Sequence, residues 1–305
     1  DKLEWDEVIT GFVPHGLNHN IYKPLPENDE RYKKYFADIK ERNGIEFLVF
    51  WNNRNIRRKQ PGDLILAFNE FRKKLPDDKK DKVGLLMHTQ AVDNNGTDLR
   101  AVHKNIAPDC KILFSEARIG SPDLNAMYNI SDVVVNIASN EGWGLSSTEA
   151  LLSGTPIANN VTGGLQDQCG FLDENNEWIQ FDGKFSTNHN GRYKLNHGKW
   201  AIPVFPSNRS LQGSPQTPYI FDDRCKFEDV ANAMYAWWLP PKDERMECGW
   251  AGRDFCLNNG LTSEQMANKM VDMINFVLDQ PREQRPRFTL NKVENREYKN
   301  MGILV

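Results

Sequence analysis

Between residues 45 and 159 five short apolar runs recur, and this alternation constrains the fold more than any other feature. They are "IEFLVF" (45–50), "VGLLMH" (83–88), "KILF" (111–114), "DVVVNIA" (132–138) and "PIAN" (156–159). Each is rich in β-branched residues or bounded by turn signals, as buried strands are. Segments of helical period lie before and between them: 29–42, closed by Asn43-Gly44, then 61–75, about 97–106, 122–129 and 147–153. A strand that is apolar on both faces has to be covered on both faces, and a helix between successive strands makes those strands parallel. The chain therefore reads as α/β, a doubly wound parallel sheet. Ligands of such sheets sit beyond the carboxyl ends of the strands, against helix N-termini.

After residue 165 the pattern degrades. Residues 170–226 are rich in Asn, Gly and Pro and carry Trp178, Tyr193, Trp200 and Phe205 without a sustained period. They read as a long insertion of loops or short β pieces, because a structureless loop of that length is foreign to a compact domain. Helical spacing resumes at 227–238 and 262–279, and a charged tail, 281–305, is expected to pack on a surface or a partner. Residues 1–305 thus form one domain with an insertion and a tail. A net charge of -4 gives no electrostatic reason to expect nucleic acid or an anionic membrane. No apolar run approaches the length of a membrane span. The cysteines are odd in number, 5, with no C-x-x-C pair, which favours reduced thiols and a cytoplasmic setting.

Two loops hold the chemistry. "NNRNIRRKQPGD" (52–63) follows the first strand and places Arg54, Arg57, Arg58 and Lys59 ahead of a helix. Taken alone it is most simply a solvated charge run; at a strand's carboxyl end it also suits a phosphorylated ligand, since Arg grips phosphate as a fork and Lys as a point charge. "SNEGWGLSSTEALLSGTP" (139–156) follows the strand at 132–138. Its Gly142 and Gly144 let backbone approach a ligand, and the following helix offers N–H groups to an anion. Glu149 fits an S-x-x-E capping box with Ser146, on a helix stopped by Gly154 and Pro156. Glu141 caps nothing. Carboxylates beside an anion site suit sugar hydroxyls, which they accept as donors. Phosphates flanked by two sugars are the layout of a nucleotide sugar.

The spacing E-x7-E in "EGWGLSSTE", followed by "ALLSGTPIANNVTGG", resembles the "EGFGL…EA…G.P…GG" segment of retaining glycosyltransferases of the GT-B fold, the family 4-like group 1 enzymes. "VPHGLNHNIYKP", "NRNIRRKQPGDLILAF" and "DLNAMYNISDVVVNIASNEGWG" resemble further motifs of that family's C-terminal donor-binding domain, in the same order. The resemblance covers about residues 10–165. It implies a Rossmann-like half of a GT-B fold, and a hexose transferred from a UDP- or GDP-linked donor with no cofactor and no metal. It implies that Arg54 and Lys59 hold the diphosphate and Glu141 the transferred sugar, with the backbone of Gly142, Trp143, Gly144 and Leu145 against sugar and phosphates. Glu149 would hold the ribose, and Gly163 and Gly164 would present backbone to the donor. The acceptor, whether glycan, protein or lipid, stays open, and the family's N-terminal acceptor domain, which the motifs in this sequence do not include, is expected in cis or in trans.

The chain departs from the pattern at Asn53 and Gln60, where the family has glycines, which implies a phosphate loop wound less tightly. Trp143 replaces a Phe, and His15 stands where Asn is common. Arg118 and Ile119 match the family's base-contacting loop only loosely and read as ordinary loop residues. The Asp pairs at 77–78 and 222–223 read as loop residues and not as a metal site. A second reading is a non-catalytic nucleotide-sugar- or glycan-binding module that serves assembly.

Overall fold

The computed structural model describes residues 11–179 and 195–280; the tail at 281–305 and Tyr193 lie outside the described residues. The strands are β1 (Phe47–Asn52), β2 (Val83–His88), β3 (Ile112–Ser115), β4 (Val133–Asn136), β5 (Ile157–Asn160) and β6 (Ala201–Val204). They form a six-stranded sheet in the order β3-β2-β1-β4-β5-β6, parallel throughout. Helices α1 (Glu30–Tyr35, continued as a π-helix over Phe36–Glu41), α2 (Pro61–Lys74), α3 (Leu99–Ile106), α4 (Ser121–Asn129), α5 (Leu145–Leu152) and α6 (Gly163–Asp167) intervene. An antiparallel hairpin, β7 (Asn208–Ser214) and β8 (Thr217–Arg224), stands apart from the main sheet. Helices α7 (Phe227–Trp238), α8 (Lys242–Asn258) and α9 (Ser263–Asp279) follow.

Alternation along each strand divides the core into two layers, as the side-chain period of 2 requires. Phe47, Val49 and Trp51 of β1 pack with Leu64, Phe68 and Phe71 of α2 and with Val230 and Met234 of α7. Leu48 and Phe50 face the other way, onto Tyr128 of α4, Ala150 and Leu151 of α5 and Phe255 of α8. The helix after β1 and the helix after β4 thus cover opposite faces of neighbouring strands. That reversal opens the crevice in which doubly wound sheets bind ligands.

Two expectations are corrected here, and one helix was not foreseen. β6 completes the main sheet, pairing Ile157 with Ala201, so only part of 170–226 is an insertion. Asp222 and Asp223 lie in β8, not in a loop, and Asp223 is fully buried. Helix α8 has no forerunner in the sequence reading, because Arg245, Gly249 and Gly252 interrupt the apolar signal of its inward face, which Phe255 and Cys256 complete. A Cβ on Gly249 would lie 1.9 Å from the carbonyl of Gly154, and one on Gly252 would lie 2.6 Å from Leu151.

The same helix is bolted down by charge. Asp132, just before β4, accepts Lys40 Nζ at 2.7 Å, Arg245 of α8 at 2.8 Å and the backbone N–H of Leu48 at 2.8 Å. All three charged residues are under 10% exposed.

Candidate functional site

β1 and β4 run side by side, Val49 beside Val133 and Phe50 beside Val134, so the loops leaving their carboxyl ends meet at one rim. The basic loop makes one 3-10 turn, Arg57–Lys59, then enters α2 with Pro61 in its first turn. Pro there is preorganised and sacrifices no hydrogen bond. Gln60 takes φ 51° and ψ 43° between the two helical pieces. This corrects the expectation of a looser loop: the left-handed turn that suits glycine is kept, at a cost of about 1–2 kcal/mol for a residue with a Cβ. Asn55, fully buried, ties the loop down by donating to the carbonyl of Thr97 at 2.7 Å and of Ala91 at 3.2 Å.

The acidic loop is fixed as firmly. Ser139 N donates to the carbonyl of Arg58 at 2.7 Å, so the two loops share a backbone hydrogen bond. Gly164 N donates to the carbonyl of Glu141 at 3.1 Å. Gly163, at φ 47°, lies so close that a Cβ would stand 1.9 Å from that oxygen. Gly163 and Gly164 therefore pack their α-carbons on the Glu141–Trp143 backbone and fix its path. Trp143 is buried, its indole N–H donating to Thr148 at 2.9 Å and its carbonyl accepting Gln168 at 2.5 Å. Gly142 faces open space, since a Cβ there would meet nothing within 4 Å. Gly144, at φ 87°, is the residue from which α5 starts, and Leu145 beside it is 43% exposed.

Glu141 is where the loops converge. Its Oε2 accepts Lys59 Nζ and, at 2.9 Å, Arg58 Nη1, which also donates to the carbonyl of Asn140 at 3.0 Å. Lys59 is 8% exposed, and burial pulls its pKa down against the opposing pull of Glu141. Arg54 is not part of this cluster. It stands on the same rim but turns toward the β2–α3 loop, gripping Asp93 at 2.9 and 3.4 Å with its side chain 63% exposed. The second cation at Glu141 is Arg58, one residue from Lys59, which the motif comparison passed over although it sits in the same charge cluster.

Glu149 is not a helix cap. α5 begins at Leu145 with no side-chain cap, which leaves Ser146 and Glu149 inside the helix. Its carboxylate accepts Tyr128 OH at 2.6 Å, Tyr22 OH at 3.0 Å and Asn52 Nδ2 at 3.3 Å. Burial raises its pKa, and those three donors oppose the rise. Tyr22 arrives from the segment before α1, Tyr128 from α4 and Asn52 from the end of β1, so no local sequence signal joins them.

The hairpin braces both loops. Asn140 donates to Asp222 at 2.6 Å, Asp223 N to the carbonyl of Ser139 at 2.7 Å, and Arg224 to Asp63 of α2 at 2.6 Å. Asp223 also accepts the hydroxyl of Thr162, next to Gly163, at 2.8 Å. His15 is exposed, Arg118 is exposed, and Ile119 is half-buried against the core. No described helix is long and apolar enough to cross a membrane.

The chain is similar to known glycosyltransferases. No family model matches the chain. It is 28% identical over 120 residues to trehalose synthase of Pyrococcus horikoshii, covering 36% of this chain and 28% of that protein. It is 27% identical over 161 residues to α-monoglucosyldiacylglycerol synthase of Acholeplasma laidlawii, covering 51% of this chain and 37% of that protein. Among solved structures, a glycosyltransferase of Rickettsia africae superposes with a TM-score of 0.60 at 15% identity, over 88% of this chain and 57% of that one. Anabaena HepE in complex with UDP and glucose does so with a TM-score of 0.59 at 14% identity, over 86% of this chain and 56% of that one. The chain thus spans well under two thirds of the proteins it matches. Its sheet has the Rossmann-like fold of one half of the GT-B glycosyltransferases it superposes on, the fold the motifs imply.

Proposed function

We propose that this chain is the donor-binding half of a retaining glycosyltransferase, moving a hexose from a nucleoside diphosphate to an acceptor. The observation that carries the reading is the meeting of Lys59, Arg58 and Glu141 at the switch point of the sheet, beside the uncapped start of α5. The diphosphate would lie against Lys59, Arg58 and the N–H groups that open α5. Cations and helix dipole there meet the charge that grows on the departing phosphate oxygen, and this is the term that lowers the barrier. Glu141 would accept hydroxyls of the transferred sugar, and open space at Gly142 leaves room for the ring.

Glu149 would accept a ribose hydroxyl at a remaining acceptor site, since a carboxylate offers about four and three are in use. Arg54, held by Asp93, would reach the diphosphate only by leaving that partner. The departing phosphate takes the acceptor's proton, so no separate base is needed. The UDP-and-glucose complex of the structurally similar HepE supports a nucleotide sugar as ligand.

The test is calorimetry with UDP, GDP and their hexose conjugates, joined to a transfer assay on the full-length protein. The reading expects micromolar-to-millimolar binding of one nucleotide series, and a loss of transfer of about a hundredfold or more when Lys59→Ala removes one charge-stabilising donor. Binding with no turnover in wild type would favour the assembly module. No binding of either series would end the donor-binding reading and leave only a glycan-binding module.

A further inference from the structure

Lys59 and Arg58 are the two cations a diphosphate would use, and both already bond one internal anion. Glu141 Oε2 is their common acceptor, with the Glu141 side chain 11% exposed and that of Lys59 10% exposed. We infer that Glu141 is a specificity residue, setting this site against a bare nucleoside diphosphate and in favour of one that carries a sugar. The inference rests on the donor-binding reading above and adds to it the class of ligand the carboxylate rejects.

A diphosphate that takes over Lys59 and Arg58 strips Glu141 of its cations. The carboxylate cannot retreat with its backbone. Its carbonyl is held by Gly164 N at 3.1 Å, Gly163 abuts that same oxygen, and the neighbouring Trp143 is clamped through Thr148 and Gln168. It is left as a shielded negative charge beside two negative phosphates, the least favourable arrangement such a group can have. A bare nucleoside diphosphate offers it nothing in return. A sugar on the distal phosphate brings hydroxyl donors into the space over Gly142, and these replace the lost ammonium and guanidinium as hydrogen-bond partners. The carboxylate thus penalises both ligands for their phosphates and compensates only the one with a sugar. After transfer the product is the penalised ligand, so the same residue also favours its release.

The experiment measures Kd for UDP, GDP, UDP-glucose and GDP-mannose on wild type and Glu141→Gln, with circular dichroism to confirm the fold. Removing the internal anion should tighten the bare nucleotide by ~tenfold or more, the effect of deleting a like charge a few ångströms from the phosphates at a protein-like dielectric. The sugar conjugate should tighten less, or weaken, so that preference for the conjugate falls. Glu141→Ala must move the bare nucleotide in the same direction, which guards against a fault peculiar to glutamine. An unchanged or weaker nucleotide affinity in both variants, with wild type binding normally, overturns this inference and leaves the donor-binding reading standing. If wild type binds none of the four, the donor-binding reading falls and this inference falls with it.

Discussion

Asp132→Asn keeps the shape of a buried side chain and removes its charge. The wild-type carboxylate answers two cations, Lys40 and Arg245, at 2.7 and 2.8 Å, in a setting where all three residues are 9% exposed or less. The neutral amide turns part of that interaction repulsive, since its NH2 cannot accept from either cation. Breaking a buried pair in this way costs about 3–5 kcal/mol, mainly the penalty of leaving charge buried without a partner. With two stranded cations the upper end applies, less whatever water reaches Lys40. At about 2–4 °C per kcal/mol for a domain of this size, the melting temperature should fall by about 6–20 °C. Differential scanning calorimetry on the purified chain reads this directly. Adding Lys40→Met to Asp132→Asn removes one stranded charge, and should recover part of the loss. A fall below about 2 °C, or a double variant no better than the single one, would refute the assignment of α8's anchorage to this triad.

Two further outcomes follow from the same coordinates. Gly163→Ala would force a Cβ to within 1.9 Å of the Glu141 carbonyl in left-handed backbone, so the loop must move; a displacement near 1 Å should cut transfer by about a hundredfold with the fold retained, read as kcat/KM against melting temperature. Glu149 has a pKa raised by burial, so the folded state binds its proton more tightly than the unfolded chain does. Its stabilising contribution is full below the ordinary glutamate value and is lost as pH rises through the shifted one. Wild type should therefore gain stability over Glu149→Gln as pH is lowered from 7 toward 4.5, and parallel denaturation curves across that window would contradict it.

Much of the fold was legible because its strands are apolar on both sides. Strand β2 was read at its observed bounds, Val83–His88, and α7 at Phe227–Trp238, since in both the period and the breakers agree. Helix α8 escaped because its inward face mixes Arg245, Gly249 and Gly252, which carry no hydrophobic signal, with apolar Phe255 and Cys256 only near its end. β6 escaped because its residues, Ala201–Val204, include Pro203, which reads as a breaker and is tolerated here on the edge of the sheet.

At the site, the glycine-flanked Glu141 and the basic loop were legible as separate features. Their meeting was not. Which cation turns inward depends on the 3-10 turn at Arg57–Lys59, which presents Arg58 and Lys59 to Glu141 and leaves Arg54 with Asp93. Ser146 and Glu149 satisfied a capping pattern that the structure does not use, because left-handed Gly144 starts the helix earlier. The tyrosines on Glu149 lie 127 and 21 residues away in sequence, beyond any local rule.

The central claim is that a nucleoside diphosphate is held by the cations now shared with Glu141. A crystal structure of the chain with the tighter-binding of UDP and GDP tests it most directly. The account predicts phosphate oxygens about 2.7–2.9 Å from Lys59 Nζ and an Arg58 nitrogen, with the Lys59–Glu141 contact opened. A nucleotide bound elsewhere, with Lys59 and Arg58 still on Glu141, would contradict it.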